Sequence, residues 1–251
     1  MLTEIKSLLK RNWIFYLAGF LLILGLKYFY SNACADELKW ILTPTAWWVR
    51  TLSGISFEWE SSYGYVNHSL RFVIAPSCSG VQFMLISFAV LLFSFVHRTN
   101  SKKAGMIWIV SSLLLSYVFT ILVNGLRIVI SIYLPVYLSK IGAFQGWLTP
   151  ERLHTLIGTV VYFSALLLIY YLTGTFFKRK LSCFAAPLFW YLFIVLVIPF
   201  LNNAYRNNRT DFLSYTALIL PVCIIITTMI SVLHILFRTK IFKRLLQNRC
   251  L

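Results

Sequence analysis

Apolar runs too long for the helices of an ordinary soluble core recur six times along this 251-residue chain. They cover residues 13–30, 81–96, 106–123, 156–177, 184–201 and 212–237. Each approaches the roughly 20 residues an α-helix needs to cross about 30 Å of hydrocarbon. In lipid a backbone must satisfy its own N–H and C=O groups, so such runs become helices. The expected fold is all-α: a polytopic membrane helix bundle of about six transmembrane helices, forming one integral membrane domain over residues 1–251. The first run ends near Ala33-Cys34-Ala35, which looks like a signal cleavage site. Its length and Lys27 favour a retained helix.

Charge sets the orientation. Only 12% of residues are charged, against about 25% in soluble domains, so membrane lipid is the expected surroundings. The net charge of +16 would suggest nucleic acid on a soluble protein. Here the cations cluster beside apolar runs, as on a cytoplasmic membrane face, so no nucleic-acid partner is expected. With the amino end inside, 14 of the 23 Lys and Arg residues fall inside, around Arg11, Lys102, Arg179 and the tail after Arg238, and 8 fall outside. Six spans with both termini cytoplasmic satisfy every loop.

Two segments read differently. Residues 40–75 place Trp40, Trp47, Trp48 and Trp59 among charges and Pro44, a composition expected on or near the membrane surface. Residues 128–138 are apolar but short and contain Pro135, so they read as a broken or re-entrant continuation of the third span.

That topology sends three ionisable residues to the outer edge: Cys78 before the second span, Arg127 after the third, and His154 before the fourth. Ionisable groups at membrane depth are functional candidates. A thiol attacks carbonyls as its thiolate, which neighbouring positive charge favours, and His154 and Arg127 are candidates for that role. Pro76-Ser77-Cys78-Ser79-Gly80 reads as a turn opening a helix, where free backbone N–H groups suit an oxyanion. Alone, a structural cap explains it equally well. Asn124 and Arg127, three apart, share a helix face, as do Arg127 and Ser131. Against a snorkelling arginine stands the apolar sequence on both sides of Arg127. His154 shares a face with Gly158, which permits close helix approach. His68 falls on the same side and is a rival base, whereas His97 and His234 fall inside. Cys34, Cys183, Cys223 and Cys250 lack zinc or redox spacing and are expected to be small buried hydrophobes. No phosphate-cradling glycine loop or carboxylate cluster appears, so neither cofactor nor metal is expected.

Taken together, Cys78-Ser79-Gly80, Asn124-Gly125-Leu126-Arg127 and His154 before a span resemble the exosortase/archaeosortase family of membrane cysteine transpeptidases. The resemblance covers about residues 71–171, a catalytic core to which helices 13–30 and 184–237 are additions. It implies a catalytic Cys78, Arg127 and His154, supported by Asn124, Ser79 and Gly80, at the outer face of a bacterial or archaeal cytoplasmic membrane. It implies as partners secreted proteins carrying a carboxy-terminal tail of short motif, hydrophobic helix and basic cluster. The tail is cut and the protein passed to a surface acceptor or water. The alternative from the residues is a transporter or polymer-export subunit, with Arg127 binding an anion at a broken helix. Oligomeric state is not legible.

Overall fold

The computed structural model describes residues 2–99, 101–142, 144, 146–177, 184–201 and 209–238, with side chains from 11 to 233 of these apart from 201 and 209–211. Cys183, Cys250, the Lys178-Arg179-Lys180 cluster, the 202–208 loop and the tail after Arg238 lie outside them, as does the His234 side chain. The chain forms two compact units, Met1–Arg179 and Lys180–Leu251.

In the first unit the helices are α1 (Leu2–Asn32), α2 (Lys39–Ser53), α3 (Val81–Phe95), α4 (Lys102–Lys140) and α5 (Pro150–Phe176). α3 is the central element. Only Gln82 and Phe93 along it escape burial, which is why its sequence is apolar all round rather than on one stripe. α1 packs across it through Gly19, whose missing side chain makes room for Leu92. Phe15 of α1 sits against Gly105 of α4, in a cluster with Phe88, Leu92, Val96 and Ile109.

α4 corrects the reading of residues 128–138. It runs unbroken through Pro135 to Lys140, a length of about 58 Å at 1.5 Å per residue. That is well beyond the hydrocarbon core. Proline is tolerated inside membrane helices, so Pro135 was a poor stop signal. α5 likewise begins six residues before its apolar run. The Thr149 side chain accepts from Arg152 N at 3.3 Å, Pro150 opens the helix and Glu151 sits in the first turn, all favourable at a helix start. His154 is therefore helical.

The segment over residues 40–75 forms an amphipathic helix and a small antiparallel sheet, the latter an addition to the expected all-helical picture. α2 buries Ile41, Leu42, Thr45, Ala46 and Val49, with Trp47 and Arg50 exposed. Pro44 leaves the Trp40 carbonyl without its helical donor, and Tyr117 of α4 supplies one at 2.7 Å. α2 ends at Gly54 in the left-handed conformation, its N–H on Arg50 O. The sheet has order β1-β2-β3: Glu58–Glu60, Gly64–Asn67 and Phe72–Ile74. Trp59 faces Tyr65 across the first pair, ring centroids 5.0 Å apart. The Tyr65 hydroxyl bonds Thr43 at 3.0 Å, tying sheet to α2.

α2 docks on α4 where Trp48 donates to Leu122 O at 3.2 Å. A Cβ on Gly125 would stand 2.4 Å from the Trp48 ring. Overpacking of this kind costs about 1–3 kcal/mol. Gly125→Leu is expected to lower the melting temperature of the detergent-solubilised protein by several degrees; an unchanged melt contradicts the packing described.

The second unit holds α6 (Ala185–Leu192), a π-helical stretch (Phe193–Val197), α7 (Ile198–Leu201) and α8 (Arg209–Arg238). The π-turn adjoins Pro199, which cannot donate to Val195 O. Among the described residues five helices are long and apolar enough to cross a membrane, while Ala185–Phe200 is a shorter apolar helix. The chain is thus an all-α polytopic membrane bundle. Cys223 is buried as expected, but Cys34 is exposed beyond the end of α1.

Candidate active site

β3 delivers the chain directly to the cysteine turn. After Ala75, residues Pro76–Cys78 form a 3-10 turn in which Cys78 N donates to Ala75 O at 2.8 Å and Ser79 N to Pro76 O at 3.1 Å. Both N–H groups are therefore consumed by the turn, and neither is left for an oxyanion. Gly80 follows with φ 78° and opens α3. A Cβ there would lie 2.9 Å from the Thr120 methyl and 3.0 Å from the Asn124 amide. Conformation and space both demand glycine.

Asn124 makes that close approach useful. Fully buried on α4, it donates from Nδ2 to Cys78 O at 2.7 Å. Its Oδ1 accepts from the Tyr162 hydroxyl of α5 at 2.6 Å. The Tyr162 ring stacks on Phe83 of α3, with centroids 4.6 Å apart. One phenol thus joins α3, α4 and α5 beneath Cys78.

Arg127, one turn beyond Asn124, is 8% exposed. Its Nη2 lies 2.6 Å from His154 Nε2, and the guanidinium sits over the Tyr162 ring at 5.5 Å. An arginine has donors only, so Nε2 is the acceptor and the imidazole proton resides on Nδ1. Arg127 Nε is buried without a partner, against Gly158 of α5, where an added Cβ would lie 3.5 Å away. This is the close helix approach that Gly158 permits. Arg127 is thus turned inward toward α5, not snorkelling to headgroups.

Cys78 is half-buried with a free thiol. Tyr30 of α1 and Cys78 pack against the same core cluster, which includes Leu38, Ile41 and Val81. Among the described residues no hydrogen bond joins the thiol to His154. The turn meets the Arg127–His154 pair through Asn124, within one helical turn. Ser79 is fully buried, its hydroxyl 3.5 Å from Val81 N. His68, the rival base, pairs with Glu60 at 2.9 Å on the sheet. Among the described residues no cluster of His, Cys, Asp and Glu is placed to hold a metal.

Tyr162 escaped the sequence reading. Its signal was position: eight residues after His154, two turns along one helix face, where the apolar span gives way to a polar group.

The three candidate residues also lie toward one end of their helices. Arg127 lies about 37 Å along α4 from Lys102, more than the roughly 30 Å thickness of a hydrocarbon core. Cys78 and His154 lie near the starts of the spans Pro76–Arg98 and Pro150–Phe176. At the other end, Arg11 donates to His97 O at 3.1 Å, joining the basic ends of α1 and α3.

No curated protein matches the chain, and no solved structure does. A family model described as transmembrane exosortase (Exosortase_EpsH) matches residues 6–171. That match takes in more than half of the sequence, from the first helix through Cys78, Arg127 and His154 to Tyr162, and the chain belongs to the transmembrane exosortase family.

Proposed function

We propose that this exosortase-family membrane protein is a cysteine transpeptidase or protease. It cuts the carboxy-terminal sorting tail from exported proteins and transfers the body to a surface acceptor or to water. Its catalytic core is about residues 71–171, and its site faces the outside of a bacterial or archaeal cytoplasmic membrane. The observation that carries the reading is the Arg127–His154 contact of 2.6 Å, set one turn from the Asn124 amide that holds Cys78 O. The clustered cations at the far end favour that end as cytoplasmic.

The resting pair dictates the order of events. While Arg127 occupies His154 Nε2, the imidazole has no free lone pair for a thiol proton. A substrate carbonyl entering beside Cys78 competes for the guanidinium donors. As Arg127 turns to that oxygen, Nε2 becomes free and takes the Cys78 proton. The sulfur attacks, and Arg127 holds the oxyanion. Collapse breaks the C–N bond, and His154 gives its proton to the leaving amine of the tail. The thioester then reacts with an acceptor amine or water, whose proton passes to His154 and back to the thiol. The orphan Nε favours this exchange, since an unpaired buried donor costs about 1–3 kcal/mol.

Transport through Arg127 at a broken helix loses its premise, because α4 is continuous there. The test is co-expression with an exported reporter bearing a motif, hydrophobic helix and basic tail drawn from the same genome. Tail removal only in cells carrying this protein is expected; persistence of the full-length reporter at equal expression, for every such tail in the genome, contradicts the assignment.

Tyr162→Phe tests the hydrogen bond from the phenol to Asn124. The variant keeps the stack on Phe83 but strands the buried Asn124 Oδ1, a loss of about 1–3 kcal/mol. Processing is expected to slow about tenfold, and the melting temperature to fall by several degrees. An unchanged rate removes Tyr162 from the site.

A further inference from the structure

At the end of the bundle opposite Cys78 lies a cavity of about 290 Å³ lined by Arg11, Asn12, Phe15, Thr99, Ser101 and Lys102. Its volume is many times the roughly 10–15 Å³ that one water needs. We propose that it binds a phosphate ester, the headgroup of an anionic phospholipid, between α1 and the start of α4. This site is independent of the catalytic reading, shares no residue with it, and stands or falls alone.

The donor inventory matches a phosphate. Arg11 directs Nη2 to the neutral His97 carbonyl at 3.1 Å, and among the described residues no other partner takes its remaining N–H donors. Lys102 brings three more donors, and among the described residues neither cation makes an ion pair. The Ser101 hydroxyl accepts from Ala104 N at 3.1 Å, so its own proton is free to donate. Thr99, by contrast, already donates to Val96 O at 2.8 Å and serves as wall. Two cations and a hydroxyl around one cavity, with no carboxylate among its described lining residues, fit a dianionic or monoanionic oxygen cluster.

Depth and floor select the lipid. Arg11 begins the span Arg11–Asn32, Arg98 ends Pro76–Arg98 and Lys102 begins Lys102–Lys140, so the cavity opens at the membrane–water boundary, where headgroup phosphates lie. One turn deeper its floor is Phe15, 8% exposed and seated on Gly105, an apolar surface suited to the start of an acyl chain. Basic pockets between membrane helices hold anionic headgroups in this way.

The experiment uses full-length protein in detergent with zwitterionic lipid, titrated with phosphatidylglycerol or inorganic phosphate, and reads retained lipid by native mass spectrometry and melting temperature. Each cation is worth about fivefold near an anionic headgroup, so Arg11→Gln with Lys102→Gln should weaken phosphatidylglycerol binding about 25-fold. Each single variant should show about fivefold, which guards against a double variant that does not fold. Lys39→Gln with Arg50→Gln, equal in charge but at the other end, should leave binding intact. No stabilisation by inorganic phosphate alone assigns the site to lipid. Stabilisation by phosphate that equals the lipid's, and is lost in the same variants, assigns it to a free phosphate and overturns the lipid. Unchanged phosphatidylglycerol binding in the Arg11 and Lys102 variants overturns the site.

Discussion

Cys78→Ala is expected to abolish tail removal from the exported reporter while the protein stays inserted and folded. The two halves of this expectation have separate causes. The turn that carries Cys78 is held by its backbone: Cys78 N on Ala75 O and Cys78 O on Asn124 Nδ2. Neither bond involves sulfur, and alanine keeps both. The side chain is only half-buried, so truncation costs little packing. Chemistry, by contrast, loses the thiol on which the proposed attack depends. Ser79 cannot substitute, being fully buried beneath the turn. Cys78→Ser should also fail, since a hydroxyl at this site lacks the acidity of a thiol and Nε2 is engaged by Arg127 at rest. Reporter processing and melting temperature measured together check both halves. Processing that persists in Cys78→Ala ends the mechanism.

Arg127→Lys is the second large effect: a loss of about 10²–10³ in processing rate, the cost of removing an oxyanion donor. Lysine keeps the charge and much of the stem. It lacks the planar fork that lets one group bond His154 and turn toward a carbonyl oxygen. Alanine is expected to be worse and less informative. It opens a void against Gly158 and Tyr162 and removes the partner of His154, so its melt should fall as well. The lysine variant separates catalysis from stability: a large rate loss with a nearly unchanged melt supports the assigned role. A lysine variant at wild-type rate contradicts it.

Much of this organisation is legible in the sequence because it is set by local physics. The apolar runs around residues 81–96, 106–123 and 156–177 could only become spanning helices, and cation clustering ordered their ends. Cys78, Arg127 and His154 therefore reach one end of the bundle by counting alone. The Asn124–Arg127 face follows from helical spacing. What escaped depends on contacts between elements. The hydrogen bond from Arg127 to His154 requires α4 and α5 to cross at Gly158, and nothing local specifies that crossing. Tyr162 earns notice only once its partner Asn124 is known to face it. The sheet over residues 58–74 has strands of three or four residues, too short for a firm periodic signal, and Trp59 in sequence reads equally as an interfacial tryptophan. Pro135 and Pro44 were read by their local cost. The Trp40 carbonyl that Pro44 frees is satisfied from α4, 77 positions away along the chain, by Tyr117.

The most direct measurement is peptide mass mapping of the wild-type protein after rapid acid quench during turnover of the tailed reporter. The mechanism places the reporter body in a thioester on Cys78, released by neutral hydroxylamine and absent from Cys78→Ala. An adduct on any other residue, or turnover by the Cys78→Ala variant, contradicts the claim that Cys78 is the nucleophile of this site.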